Sequence, residues 1–166
     1  EGGMIDFRGK ECAELFDRLG SLVWVENGEW RCADDAAAQA IVDAFDRAAI
    51  ARAEKWEAIK AERDRRTITG GYQVAGKWFH SDVFSRSQQI GMVMLGASLP
   101  AGLQWKTMDG SFVTMTPTLA QQVFGAAAAS DATIFGTAEA KRMAMEASAT
   151  PWDYNVLAGW PPIFGE

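Results

Sequence analysis

The thirty-two residues from Asp35 to Arg66 contain neither glycine nor proline, so no residue in them is a built-in helix breaker. Asp34 and Asp35 supply an N-cap and a favourable charge where that run begins. Ile41, Phe45, Ala48, Arg52, Trp56 and Ile59 recur at spacings of three and four. The pattern predicts one helical rod of about 48 Å. Its second half, ARAEKWEAIKAERDRR, mixes both charges among good helix formers and reads as a solvated face. That reading extends to the basic end RDRR and to the carboxylates Glu62 and Asp64. A chain of 166 residues does not readily cover so long a rod. Pairing with a second copy or another protein is therefore expected alongside packing of the helices on themselves.

The remaining chain alternates turns with shorter periodic runs. Cys12, Leu15, Phe16 and Leu19 mark a helix over 9–19, closed by Gly20. In SLVWVENGEWRC, Asn27-Gly28 predicts a type I′ hairpin pairing Val25 with Trp30 and Val23 with Cys32. Trp24 then lies across from Arg31 on the opposite face, where the two can stack. GGYQVAGKWFH predicts a second hairpin turning near Ala75-Gly76-Lys77, although alanine suits a primed turn poorly. SDVFSRSQQIGMVMLGASLP predicts a helix with Val83, Ile90 and Met94 inward. QWKTMDGSFVTMT predicts a third hairpin; with Asp109-Gly110 as its loop, Trp105 and Thr107 face Thr114 and Phe112. Thr116-Pro117 opens an alanine-rich helix to about Ala149, broken or bent at Gly125 and Gly136. The tail TPWDYNVLAGWPPIFGE is irregular but apolar enough to dock.

The fold class is α+β: two long alanine-rich helices and two shorter ones, with three short antiparallel hairpins packed against the helical layer. Residues 1–3, Glu1-Gly2-Gly3, precede Met4 and read as a cloning remnant. Residues 4–66 carry the first helix, hairpin and rod; 67–150 run hairpin, helix, hairpin, helix; 151–166 form the tail. Residues 4–166 are expected to fold as one unit.

A net charge of −6 argues against nucleic acid as main partner. No apolar run reaches the length of a membrane span. Cys12 and Cys32 lack metal-ligand spacing and read as two reduced, partly buried thiols. The stretch GKWFHSD holds the single histidine, His80, followed by Ser81 and Asp82. A catalytic triad needs side chains converging from separated parts of the chain, whereas consecutive residues at a strand end splay apart. Ser81 or Asp82 is better explained as the N-cap of the next helix. No phosphate loop, dinucleotide fingerprint or EF-hand loop occurs. No catalytic, cofactor-binding or metal-binding residue is assigned, and no cofactor is expected.

Taken together, GGYQVAGKWFHSDVFSRSQQIG, PAGLQWKTMDGSFVTMT and the alanine-rich helix ending in a tail with AGWP resemble a phage and prophage domain family of unknown function. Its members are typically encoded beside tail-fibre genes. WRCADDAAAQAIVDAFD is similar to the front part of such proteins. The resemblance implies a non-enzymatic tail component, or a tail-fibre attachment or assembly factor, on the virion tail or in the host bacterial cytoplasm during assembly. It implies tail or tail-fibre proteins as partners and brings no catalytic residues. The expected contact residues are Trp24, Arg31, Trp78, Trp105, Trp152 and Trp160, because tryptophan and arginine are enriched at binding hot spots. Two other classes stand beside this one. A small envelope-directed hydrolase would need paired carboxylates across a cleft; a host-directed binding protein would need only a docking surface.

Overall fold

The computed structural model describes residues 5–166; Glu1-Gly2-Gly3 lies outside the described residues. The architecture is α+β, with three separate two-stranded antiparallel sheets among the described residues. The rod expected over Asp35–Arg66 is two helices, α2 (Asp35–Ala44) and α3 (Arg47–Thr69). Between them Phe45 is extended, and the Asp46 side chain accepts from the Ala49 N–H at 3.0 Å, a full N-cap. Lys10 holds the other side of the break. Its Nζ donates to the carbonyls of Val42, Asp43 and Phe45 at 2.8, 3.2 and 2.8 Å. The Val42 carbonyl also accepts from the Phe45 N–H at 3.3 Å, so Lys10 adds a second donor there and reaches the Asp43 and Phe45 carbonyls at the break. Freedom from glycine and proline permits a continuous helix but does not enforce one.

α5 (Pro117–Ala147) follows the opposite logic: it runs unbroken through Gly125 and Gly136. Each glycine costs a helix only about 1 kcal/mol. The inward row Ala120, Val123, Ala127, Ile134, Ala138 and Met145 offsets that cost. α3 lies antiparallel to α5, since Arg52 meets Glu146, Trp56 meets Arg142, and Arg63 meets Phe135. The small residues of α5 let the two helices approach closely.

The N-terminal part folds around its own cluster. α1 (Ala13–Leu19) and α2 bury Leu15, Leu19, Ala38 and Val42, with Ile5, Phe7 and Phe45. β1 (Val23–Glu26) and β2 (Glu29–Cys32) have the expected register, with Asn27 and Gly28 both at positive φ. Cys12 and Cys32 are free and half-buried against this cluster.

In the second half, β3 (Tyr72–Val74) and β4 (Lys77–Phe79) turn at Ala75-Gly76, and Ala75 sits at φ 50, a left-handed conformation that disfavours a Cβ. α4 (Val83–Leu95) differs from expectation in which face it buries. Val83, Ile90 and Met94 point outward, while Gln89 and Met92 point inward. Two polar anchors set that rotation. Gln89 binds the Tyr72 hydroxyl and the His80 carbonyl, and Arg86 binds Asp131 bidentately at 2.7 and 2.9 Å.

The hairpin of β5 (Gln104–Lys106) and β6 (Phe112–Thr114) is one residue out of the expected register: Trp105 opposes Val113, and Lys106 opposes Phe112. Thr107 pairs with Ser111 across a three-residue loop. The Asp109 carboxylate stabilises it by accepting from the Ser111 N–H, the Ser111 hydroxyl and the Thr107 hydroxyl at 2.9, 2.6 and 2.6 Å.

The tail, 151–166, straps across α3. Arg66, expected on a solvated face, is buried beneath it with Glu62. Arg66 donates to Glu62, to the Pro161 carbonyl and to the Glu166 side chain at 2.6, 2.8 and 2.8 Å. Ile163 packs so tightly on Gly70 that a Cβ there would lie 2.5 Å from its Cγ2.

Candidate functional site

Six residues were expected to make contact, and the structure disperses them. Trp152 lies under the Arg47 guanidinium, 4.2 Å from its ring centre. Trp160 donates from Nε1 to the Val156 carbonyl and stands near Lys141 and Arg66. Trp78 meets Phe164 edge-on at 6.3 Å. Trp105 is half-buried against the central apolar cluster. The surroundings of Trp78, Trp152 and Trp160 are those of tail anchors.

Trp24 and Arg31 belong to a different setting. With Trp30 they border an open cleft of about 870 Å³ between the first hairpin and the segment Ile5–Phe7. The hairpin's twist and its primed turn hold β2 across this segment. Trp30 stacks on Phe16 at 5.0 Å with an 8° interplanar angle, and Phe7 meets both rings edge-on at 5.4 and 5.6 Å. That triple packing fixes the platform. Even so, Trp24, Val25 and Trp30 remain 44, 56 and 41% exposed. The Trp24–Arg31 stack does not form. Arg31 instead pairs with Glu26 at 3.5 Å and Glu29 at 3.2 Å, two carboxylates on its own hairpin. Local opposite charge outcompetes the indole face.

Three carboxylates, Asp6, Glu29 and Asp35, also line the cleft. Asp6 accepts from the Arg8 N–H at 2.9 Å, Glu29 carries the Arg31 pair, and Asp35 stands in the first turn of α2. The cleft therefore combines flat aromatic surface, excess negative charge and one partly neutralised guanidinium. Such a surface can hold an extended chain bearing cationic or ring-shaped groups.

The residues around His80 have other tasks. Asp82 is the N-cap of α4, accepting from the Ser85 N–H and hydroxyl at 2.9 and 2.7 Å, which holds its carboxyl below the usual range. Ser81 is buried and accepts from the Gly71 N–H at 2.9 Å. The stretch GKWFHSD is a junction between β4 and α4.

Titration is perturbed at hydrogen-bonded carboxyls and at buried groups. Lys77 donates to Asp109 and Ser111, and this contact, with the loop hydroxyls, holds the Asp109 carboxyl far below the usual range. Hydrogen bonds from Arg65 and Arg66 lower Glu62. Burial raises the Tyr72 phenol and lowers the Lys141 ammonium. Among the described residues, no group of three or more His, Cys, Asp or Glu side chains could hold a metal ion, and no helix is long and apolar enough to cross a membrane.

A family described as a domain of unknown function, DUF4376, matches residues 50–156. The chain belongs to that family. No curated protein and no solved structure matches it. The DUF4376 match begins near the start of α3 and ends in the tail, so it takes in the α3–α5 pair and both later hairpins. The aromatic cleft lies outside the matched residues. Phe7 and Phe16, which fix the Trp30 platform, were missed by sequence reasoning. Helical spacing marks Phe16 as apolar, but no local signal joins it to a hairpin residue.

Proposed function

We propose that this protein is a non-enzymatic docking module of a phage or prophage tail, a structural component or a fibre attachment or assembly factor. The observation that carries the reading is the rigid aromatic cleft at Trp24 and Trp30. Half-exposed indoles on a fixed platform are the usual anchors of protein–protein contact. The N-terminal cluster carries that platform and leads into α3 across the break held by Lys10, and the tail strap is bound to α3 through Arg66. The tail setting comes from the resemblance of the stretches around Gly70–Gly91 and Pro100–Thr116. In this reading the cleft takes a segment of a fibre or tail protein, and its acidic rim favours a cationic one.

The test is co-expression of a tagged chain with the tail genes of the phage or prophage that encodes it, followed by purification through the tag. A fibre or tail protein is expected in the eluate, lost with Trp24→Ala or Trp30→Ala in a folded variant. An eluate without tail proteins, from a chain also absent from purified particles, contradicts the reading.

The carboxylates of the cleft favour one second reading, an envelope-directed hydrolase working with acid and base groups there. Turnover of a peptidoglycan or polysaccharide preparation, lost with Asp35→Asn or Glu29→Gln, would replace the docking reading.

A further inference from the structure

We propose that the outer face of α4 is a self-association surface, on which a second copy of this chain docks antiparallel about a two-fold axis. This does not depend on the tail setting. α4 has one charged residue, Arg86, and that side chain is committed to Asp131. On the outer face Val83, Ile90 and Met94 are 73, 46 and 82% exposed, and Phe84 and Leu95 are 71 and 49% exposed. At helical periodicity Val83, Ser87, Ile90 and Met94 form one straight row, with Phe84, Gly91 and Leu95 beside it. A solvated helix face ordinarily carries charge. α4 has two apolar faces, and the rest of the chain covers one.

Three observations identify a second copy as the occupant. The first is area. The five large side chains expose on the order of 700 Å² of apolar surface, a large patch for a single chain. It is close to the roughly 800 Å² that each partner contributes to a standard interface.

The second is shape. Bulky groups sit at both ends of the face, Val83 and Phe84 at one and Met94 and Leu95 at the other, and the middle holds small Ser87 and Gly91 beside the half-exposed Ile90. An antiparallel two-fold crossing sets Ser87 against Gly91 of the other copy and Phe84 against its Met94 and Leu95. Gly91 has no reason within its own chain to be glycine: a Cβ there meets nothing within 4 Å. Gly125 and Gly136 in α5 are equally open, but Gly91 lies within the apolar face of α4, where the missing side chain leaves room for a second backbone.

The third is charge. Each copy carries −6, so like charges oppose contact over much of the surface, whereas the uncharged face of α4 lets identical chains meet without that penalty.

The test is sedimentation equilibrium of the full chain over micromolar to millimolar concentrations, with circular dichroism as the folding control. The expected result is a concentration-dependent mass of twice 18.1 kDa. Ile90→Glu and Met94→Glu should each weaken association at least ~100-fold, because a charge is forced into the contact, while helix content is unchanged. Phe112→Glu, on the exposed β5–β6 hairpin, should leave the dimer intact. Gly91→Leu should raise the thermal stability of the monomer and abolish the dimer, which a glycine required by the single-chain fold would not do. A monomer at every concentration, a dimer that survives both glutamate variants, or an α4 face that binds only a different protein would overturn the proposal.

Discussion

The two hairpin-bearing ends of this molecule are built by different means. In the N-terminal end, residues 5–45, the first hairpin is anchored by apolar packing, the stack of Trp30 on Phe16, while Lys10 and Gln39 tie the start of the chain to α2. The second end also has an apolar core, but polar ties lock its elements together: Arg86 to Asp131, Gln89 to Tyr72, and Lys77 to Asp109. A directly bonded backbone link, Met108 N–H to the Trp78 carbonyl at 2.9 Å, joins the two later hairpins. The first hairpin offers the exposed aromatic surface, and the α3–α5 body with its strap is the frame tied by polar contacts.

The largest blow to the frame is Arg66→Ala. Glu62 keeps its pair with Arg65, but the ties from Arg66 to the Pro161 carbonyl and to Glu166 are lost and the tail is freed, at a cost of about 2–4 kcal/mol. Denaturant titration measures the loss, and new proteolytic cleavage after Thr150 reports the freed strap. Leu19→Ala attacks the other end. Leu19 is 1% exposed, and truncation there costs about 2–4 kcal/mol. Hydrogen exchange should quicken over residues 13–45 and leave α5 unchanged; equal quickening of α5 would erase the distinction between the two ends.

Acid offers a third way to separate them. The carboxyls of Glu62, Asp82 and Asp109 are held below their ordinary values in the folded chain. Their contribution is complete above the unfolded value near pH 4 and lost as pH falls through the depressed folded values. All three lie in the second end and its frame, against Glu14 alone in the first, held low by a backbone hydrogen bond and by Arg47, so exchange should rise more on acidification there than in α1 and α2.

Smaller effects sharpen the boundary between the ends. Asp46→Ala removes the cap that starts α3 and should cost about 1 kcal/mol by thermal denaturation. Ala75→Gly relieves a Cβ at positive φ and should stabilise by roughly 0.5–1 kcal/mol.

Local signals carried much of the fold and little of the site. Asn27-Gly28 set the first hairpin and its register, Thr116-Pro117 set the start of α5, and Asp82 was legible as a cap. The errors share a cause. Asp46 looks like one more helix residue until Lys10, far off in sequence, covers the carbonyls before it. Val83, Ile90 and Met94 match the apolar period, yet Arg86 and Gln89 turn α4 the other way because their partners lie on Asp131 and Tyr72. Arg66 reads as surface until the tail arrives over it. The third hairpin slipped by one residue because the Asp109 side chain builds a loop longer than the dipeptide suggests. In the site, Trp24 and Arg31 were legible as neighbours, but their separation followed from Glu26 and Glu29 competing for the guanidinium. Each case is a tertiary partner overriding a local preference.

The most direct measurement is hydrogen exchange of the chain, alone and bound to the tail protein captured with it. The account predicts new protection across residues 23–32, little change along the already protected α3–α5 pair, and none of this with Trp24→Ala. Protection confined to α3 and α5, with the first hairpin exchanging as freely as before, would contradict it.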